Sequence, residues 1–169
     1  EEGDSAIQKV AAAEKAAALP ASLKKGLVAY YPFNGNTKDE NGNGHDGKNT
    51  SVSYTADRFN TDKSSAFFDG QSSQVVVTGL NDIVGGSKMR TFAFWVRVEL
   101  EAPTAQMAVV TLGNHAGGAD KPASFGVHIP IRTWYFWGGT RNTDMESGVK
   151  ADQEWRHLSA TYDGNTCAL

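Results

Sequence analysis

Oxygen-bearing side chains crowd a glycine-rich segment, residues 34–47, near the start of the chain. Ca²⁺ takes about six to eight oxygen ligands, and glycines let a tight backbone supply carbonyl groups as well. The alternative is a loop of Asx turns, in which these side chains bond to their own backbone. The residue types leave both alternatives open. The calcium candidates are Asp39, Asn34, Asn36 and Asn41.

A second stretch, residues 133–144, combines aromatic rings with polar side chains. Exposed Trp and Tyr rings stack on the apolar faces of sugars, while Asn, Asp and Arg bind sugar hydroxyls. In a strand, Tyr135 and Trp137 would share one face, and Trp134 and Phe136 would share the other. One of these two sets must belong to the core. The ligand-binding candidates are Trp137, Tyr135, Arg141, Asn142 and Asp144, with Asn114 and His115 from another glycine-rich loop.

Thiol and imidazole chemistry is disfavoured. The chain has one cysteine, Cys167, so it forms no disulfide within itself and no thiolate metal cluster. Its four histidines lack the spacing of a zinc site. We expect His157 to lie on the wetter side of a strand.

Composition and charge narrow the class of protein. The 169 residues are 40% hydrophobic and 21% charged, which is enough apolar material for a core. Lys and Arg number 16 and Asp and Glu 19, and this net charge of −3 gives no reason to expect nucleic acid as a partner. No apolar run approaches the roughly 20 residues of a membrane helix, so we expect no membrane span.

The pattern of residues predicts a helix followed by many strands. Residues 1–21 form an Ala-rich helix or linker stopped by Pro20, and a second turn over 21–25 ends at Gly26. From Leu27 onward, β-branched and aromatic residues alternate with turn-forming clusters, which predicts an antiparallel sandwich or jelly roll. In strand 91–99, both faces carry large apolar groups, as in a central strand covered on both sides. The predicted strands are 27–33, 66–68, 74–78, 91–99, 108–112, 124–129, 133–137 and 156–162.

Six stretches in order resemble bacterial laminin-G-like domains, which are concanavalin A-like lectin/glucanase domains. They are SLKKGLVAYYPFNGN (22–36), KDENGNGHDG (38–47), ADRF (56–59), AFFDG (66–70), TFAFWV (91–96) and EWRHLSATYDG (154–164). The resemblance covers residues 22–169 and implies a jelly-roll β-sandwich, with a Ca²⁺ site in many members. It also implies further strands after Gly164, so we expect either a missing C-terminal part or a neighbouring subunit that completes the sheet edge.

The resemblance and the residues together predict a binding module. Related glucanases carry a Glu-x-Asp-x-x-Glu strand, which this chain lacks, as it lacks a Gly-x-Ser-x-Gly elbow, so we expect no enzyme. We expect an extracellular or cell-surface adhesion module that binds a glycan or a surface protein and that calcium stabilises if the loop holds it. The alternatives are a structural subunit of a surface assembly and an accessory domain of a larger secreted enzyme.

Overall fold

The computed structural model describes residues 20–80, 88–99, 107–113, 123–128, 133–137 and 144–169 of the chain. The chain divides into two compact units, Glu1–Leu80 and Asn81–Leu169. Among the described residues, the second unit consists mainly of strands, the first has four short strands joined by turns and loops, and every strand pair is antiparallel. The all-β expectation is therefore confirmed. Within the described ranges, no helix has both the length and the hydropathy to cross a bilayer.

The strands of the first unit are short. They are β1 (Lys48–Thr50), β2 (Ser53–Thr55), β3 (Ser65–Phe67) and β4 (Gln74–Val76). Strand β1 pairs with β4, and β2 pairs with β3. Strand β1 is exposed at all three positions, so it has no apolar alternation and the sequence did not predict it.

The first unit also contains the one short helix that the described residues form, α1 (Ala21–Lys24). The Leu23 N–H donates to the Pro20 carbonyl at 2.9 Å and starts the turn. Gly26 follows at φ +76°, in the left-handed region that glycine tolerates, and the chain leaves the helix there. The predicted turn over 21–25 is confirmed. The predicted Ala-rich helix over residues 1–21 lies almost wholly outside the described residues.

The predicted strand over 27–33 is wrong, because its backbone groups bond to a loop instead of a neighbouring strand. The Leu27 carbonyl accepts the Asn41 amide at 2.7 Å, and the Val28 carbonyl accepts the Asn43 amide at 2.8 Å. Phe33 ends the segment at φ +56°, a conformation that extended strands do not have.

The second unit holds two sheets. The four-stranded sheet has the order β6-β7-β8-β9, and the three-stranded sheet has the order β11-β10-β5. The bounds are β5 (Arg90–Val96), β6 (Met107–Leu112), β7 (Ala123–His128), β8 (Thr133–Trp137), β9 (Met145–Lys150), β10 (Arg156–Tyr162) and β11 (Cys167–Ala168). The predicted strands 133–137 and 156–162 are confirmed at both ends, and β9 and β11 were not predicted.

The two sheets of the second unit pack against each other through one apolar cluster. Its buried members are Val98, Trp134, Phe136, Ala151, Leu158 and Ala160. Phe92 on β5 meets Phe136 on β8 with ring centroids 5.8 Å apart, so side chains of both sheets share this core. The alternation in β10 also follows the prediction, since Leu158 and Ala160 are buried and His157 is exposed.

Strand β5 differs from the prediction of a strand covered on both sides. Its apolar residues Phe92, Phe94 and Val96 are half-buried against the core, but Trp95 on the opposite face is 47% exposed. Within the described sheet, β5 also lies at an edge, with β10 as its neighbour. The prediction that both faces of β5 are covered is therefore wrong. The Trp95 ring packs on the ring of His157 instead.

Candidate functional site

Asp39 lies at the centre of the hydrogen bonds that hold residues 27–47 together. Its side chain is buried, with 6% of the residue exposed. Atom Oδ1 accepts the Tyr30 N–H at 2.9 Å and the Asn41 N–H at 3.0 Å, and Oδ2 accepts the His45 N–H at 3.4 Å. The Asp39 N–H in turn donates to Asp46 Oδ1 at 2.8 Å. The carboxylate therefore ties Tyr30 to two points of its own loop, Asn41 and His45, and the backbone N–H of Asp39 adds a third point at Asp46.

These hydrogen bonds set the ionisation of Asp39. Burial by itself raises the pKa of Asp39, but the backbone N–H groups of Tyr30, Asn41 and His45 outweigh burial and lower that pKa from its ordinary value. The same site also affects the pKa of the Tyr31 phenol. Burial, followed by the carboxylates of Asp39 and Asp46, raises the pKa of Tyr31 to about 12.

The other three calcium candidates are also held by the loop. The Asn36 side-chain oxygen accepts the Lys38 N–H at 2.8 Å. The Asn34 side-chain nitrogen donates to Glu40 Oε1 at 2.9 Å, and the Asn41 side-chain nitrogen donates to the Leu27 carbonyl at 2.7 Å. The Asn36 bond is that of an Asx turn, whereas the Asn34 bond joins two side chains and the Asn41 bond joins the loop to the preceding segment.

The bonds of the loop leave both the Asx-turn loop and the calcium site open. Both oxygens of Asp39 accept backbone N–H groups, but a carboxylate has about four lone-pair sites, so Asp39 can accept these bonds and still contact a Ca²⁺ ion. Among the described residues, no group of three or more His, Cys, Asp or Glu side chains could hold a metal ion. The structure brings Asp39 and Asn41 together through the Asn41 N–H, and Asn34 and Asn36 through the Asn36 amide, which donates to the Asn34 carbonyl.

Strand β8 separates the aromatic candidates by face. Trp134 is fully buried and Phe136 is 4% exposed, so they are the core set. Tyr135 points away from that core and is half-buried. Trp137 lies at the end of the strand, opposite Ser124 of β7. The expectation that one of the two sets is core is confirmed, and the candidate Tyr135 belongs to the other set.

Two carboxylates, those of Asp144 and Glu146, lie near Tyr135. Strand β9 pairs with β8 so that Glu146 lies opposite Tyr135. Burial, followed by the charges of Asp144 and Glu146, raises the pKa of the Tyr135 phenol. Glu146 Oε1 also accepts a hydrogen bond from the hydroxyl of Thr133, which fixes that carboxylate on the strand. The result is a phenol with two acceptors for hydroxyl groups beside it.

Glu146 is the residue of this group that the sequence analysis did not name. It follows Asp144 by two positions, and alternate residues of a strand share a face. That spacing was a usable signal, but β9 itself was not predicted. The strand contains Gly148 at φ +69°, and its register with β8 shifts between Thr133 and Tyr135, as at a β-bulge.

Four of the predicted ligand-binding residues lie outside the described residues: Asn114, His115, Arg141 and Asn142. Asp69, which could be either a ligand or a turn former by its residue type, belongs to a turn. Its Oδ1 accepts the N–H groups of Gln71, Ser72 and Ser73, each at 2.9 Å. These bonds hold the pKa of Asp69 well below its usual range.

The chain was compared with protein-family models, with curated proteins and with solved structures, and none of the three comparisons found a match. The resemblance to laminin-G-like domains over residues 22–169 therefore stays a prediction.

Proposed function

We propose that the chain is a non-catalytic, extracellular or cell-surface binding module with a jelly-roll β-sandwich fold, and that it binds a glycan. The two described sheets of the second unit, which share one core, support the sandwich. The ordered stretches of the laminin-G-like resemblance support the class. This fold leaves the outer faces and the rim loops of the sheets for ligands.

The observation that carries the proposal is the grouping on the outer face of β8 and β9. Tyr135 turns away from the core that Trp134 and Phe136 fill, and Asp144 and Glu146 are close enough to affect its pKa. An aromatic ring that offers apolar contact, beside carboxylates that accept hydrogen bonds, suits a ring-shaped ligand rich in hydroxyl groups. The neighbouring strands hold these groups on a rigid support, which favours binding.

A glycan array followed by calorimetry tests the proposal. We expect the wild-type chain to bind at least one glycan, and Tyr135→Ala to lower the affinity at least about tenfold, or about 1.4 kcal/mol. Tyr30→Ala is the matched control, because Tyr30 is also an accessible tyrosine, at 37% exposed, and lies in the first unit. An array without any hit, or equal affinities for both variants, would contradict the proposed site. Binding to a protein alone would favour the adhesion alternative.

A further inference from the structure

The outer face of strands β5 and β10 carries an ordered row of side chains. The two strands pair along seven positions, from Arg156 opposite Val96 to Tyr162 opposite Arg90. Phe94 and Leu158 belong to the face that packs on the core. The outward pairs are, in order, Thr91 with Thr161, Ala93 with Ser159, and Trp95 with His157. We name these three pairs the outer strip.

One end of the outer strip is aromatic and accessible. Trp95 is 47% exposed although it is the largest side chain of the row. Its ring centroid lies 5.2 Å from that of His157, with the planes at 56°. The contact fixes the orientation of the indole and leaves nearly half of the residue open to a ligand. Exposed indole faces that are held in place bind apolar ring surfaces well.

The middle and the far end of the outer strip carry small or polar side chains. Ala93 is exposed and stands next to Ser159, so the floor beside the indole has only small side chains. Thr91 and Thr161 follow, and both are exposed. At a rise of about 3.4 Å per residue, Thr91 to Trp95 spans about 14 Å. Over that length, a short chain of sugar rings could contact the Trp95 ring, the small side chains beside it and the threonine hydroxyl groups.

The charge and the area of the outer strip favour one kind of ligand over others. Arg97 follows Trp95 by two positions; its guanidinium lies 5.3 Å from the Trp155 ring centroid and bonds to Glu99 at 2.5 Å. Its charge is therefore matched within the protein, which disfavours an anionic ligand. A strip about 14 Å long on two strands about 4.8 Å apart is also much smaller than the roughly 800 Å² per partner of a stable protein interface.

We propose that the outer strip binds a neutral oligosaccharide. A sugar ring stacks on Trp95, and the hydroxyl groups of the next rings bond to His157, Ser159 and the strip threonines. The inference rests on the proposed function, because it takes the same class of ligand. It adds a second surface, since the strip lies on the three-stranded sheet and Tyr135 lies on the four-stranded sheet.

The test uses the full chain with cellotetraose, laminaritetraose and mannotetraose as separate probes, together with the neutral and sulfated glycans of an array. We expect Trp95→Ala to lower the affinity for a neutral probe at least about tenfold without a change in Tm, because the side chain is exposed. Ala93→Arg should lower it similarly by filling the floor. Met89→Ala is the control, since Met89 is 76% exposed but precedes β5, and it should bind like the wild type.

The outcomes separate the two proposals. If the wild type binds a neutral glycan and both Trp95→Ala and Ala93→Arg bind it within twofold of the wild type, the strip inference is overturned and the proposed function stands. Binding that is confined to sulfated glycans also overturns the inference alone. If the wild type binds no glycan at all, the proposed function fails, and the strip inference fails with it.

Discussion

Asp39 Oδ1 accepts the backbone N–H of Tyr30 at 2.9 Å, and the Glu40 N–H donates back to the Tyr30 carbonyl at 2.9 Å. Both backbone groups of Tyr30 are thus used by a loop nine and ten residues later. A residue bonded in this way has no backbone group left for a neighbouring strand. Together with the bonds of Leu27 and Val28, these contacts explain why the segment is not a strand, and the Tyr30 N–H is one of the donors that lower the pKa of Asp39.

The first prediction concerns Asp39 and acid. Its folded-state pKa is lowered, so the stabilisation it gives is complete above its ordinary pKa of about 3.9 and is lost as the pH falls through the lower folded value. Asp39→Asn keeps an acceptor but cannot titrate. We expect the unfolding free energy of the variant to fall less steeply than that of the wild type below about pH 4.

Urea unfolding at several pH values measures this difference. Asp69, Asp152 and Asp163 also have lowered pKa values, so the variant should keep part of the acid dependence. The control is Asp62→Asn at an exposed position. Asp39→Ala should in addition cost about 1–3 kcal/mol at neutral pH, because buried N–H groups lose their acceptor. Equal acid slopes for Asp39→Asn and wild type would contradict the assignment.

The second prediction concerns Gly47, which closes the loop against Thr37. The Gly47 N–H donates to the Thr37 carbonyl at 2.8 Å, and the Thr37 hydroxyl donates to the Gly47 carbonyl at 2.6 Å. A Cβ at this position would meet Val75 Cγ1 at 2.5 Å and the Thr37 carbonyl oxygen at 3.2 Å. We expect Gly47→Ala to destabilise the chain by about 1–3 kcal/mol through overpacking.

A double-mutant cycle with Val75→Ala checks the cause. Removing Cγ1 of Val75 takes away the closest contact, so Gly47→Ala should cost clearly less in the Val75→Ala background than in the wild type. If the two costs are equal, the clash with Val75 is not what makes glycine necessary at this position.

The third prediction concerns Trp134, which fills the core of the second unit. Its Nε1 is buried and has no hydrogen-bond partner among the described residues. Trp134→Ala should cost about 3–5 kcal/mol of stability. Trp134→Phe should stay within about 1 kcal/mol of the wild type, because losing an unpaired buried donor offsets the smaller ring. Chemical unfolding measures both, and equal costs for the two variants would contradict the offset between the lost unpaired N–H and the smaller ring.

The fourth prediction concerns calcium. If residues 34–47 form an Asx-turn loop only, neither added Ca²⁺ nor EDTA shifts the Tm. A rise in Tm with Ca²⁺ that Asp39→Asn abolishes would instead establish the calcium alternative. Mg²⁺ at the same concentration is the control for a general effect of ionic strength.

The sequence predicted best where residues alternate strictly. Strand β10 has Leu158 and Ala160 on its buried face and polar residues between them, and both its ends were predicted. Strand β8 was predicted as well, because its five residues are β-branched or aromatic. Both strands pair with neighbours in the way their patterns favour.

Prediction failed where contacts distant in the chain replace local preference. Residues 27–33 have the composition of a strand, but Asn41, Asn43 and Asp39 take their backbone groups. Strand β1 forms although its exposed polar residues carry no alternation, and β9 forms although its last three positions, 148–150, are all exposed. In the candidate site, Tyr135 could be named from its residue type. Glu146 was missed although it follows Asp144 by two positions, because β9 was not predicted and its register with β8 is set only by strand pairing.

Glycan binding at Tyr135 is tested most directly by an NMR titration of the full chain with the neutral glycan that binds best on the array. We expect the amide signals of Tyr135 and Glu146 to shift in proportion to the bound fraction, and Tyr135→Ala to weaken this response. If the glycan binds while both signals stay unchanged, the outer face of β8 and β9 is not the binding site.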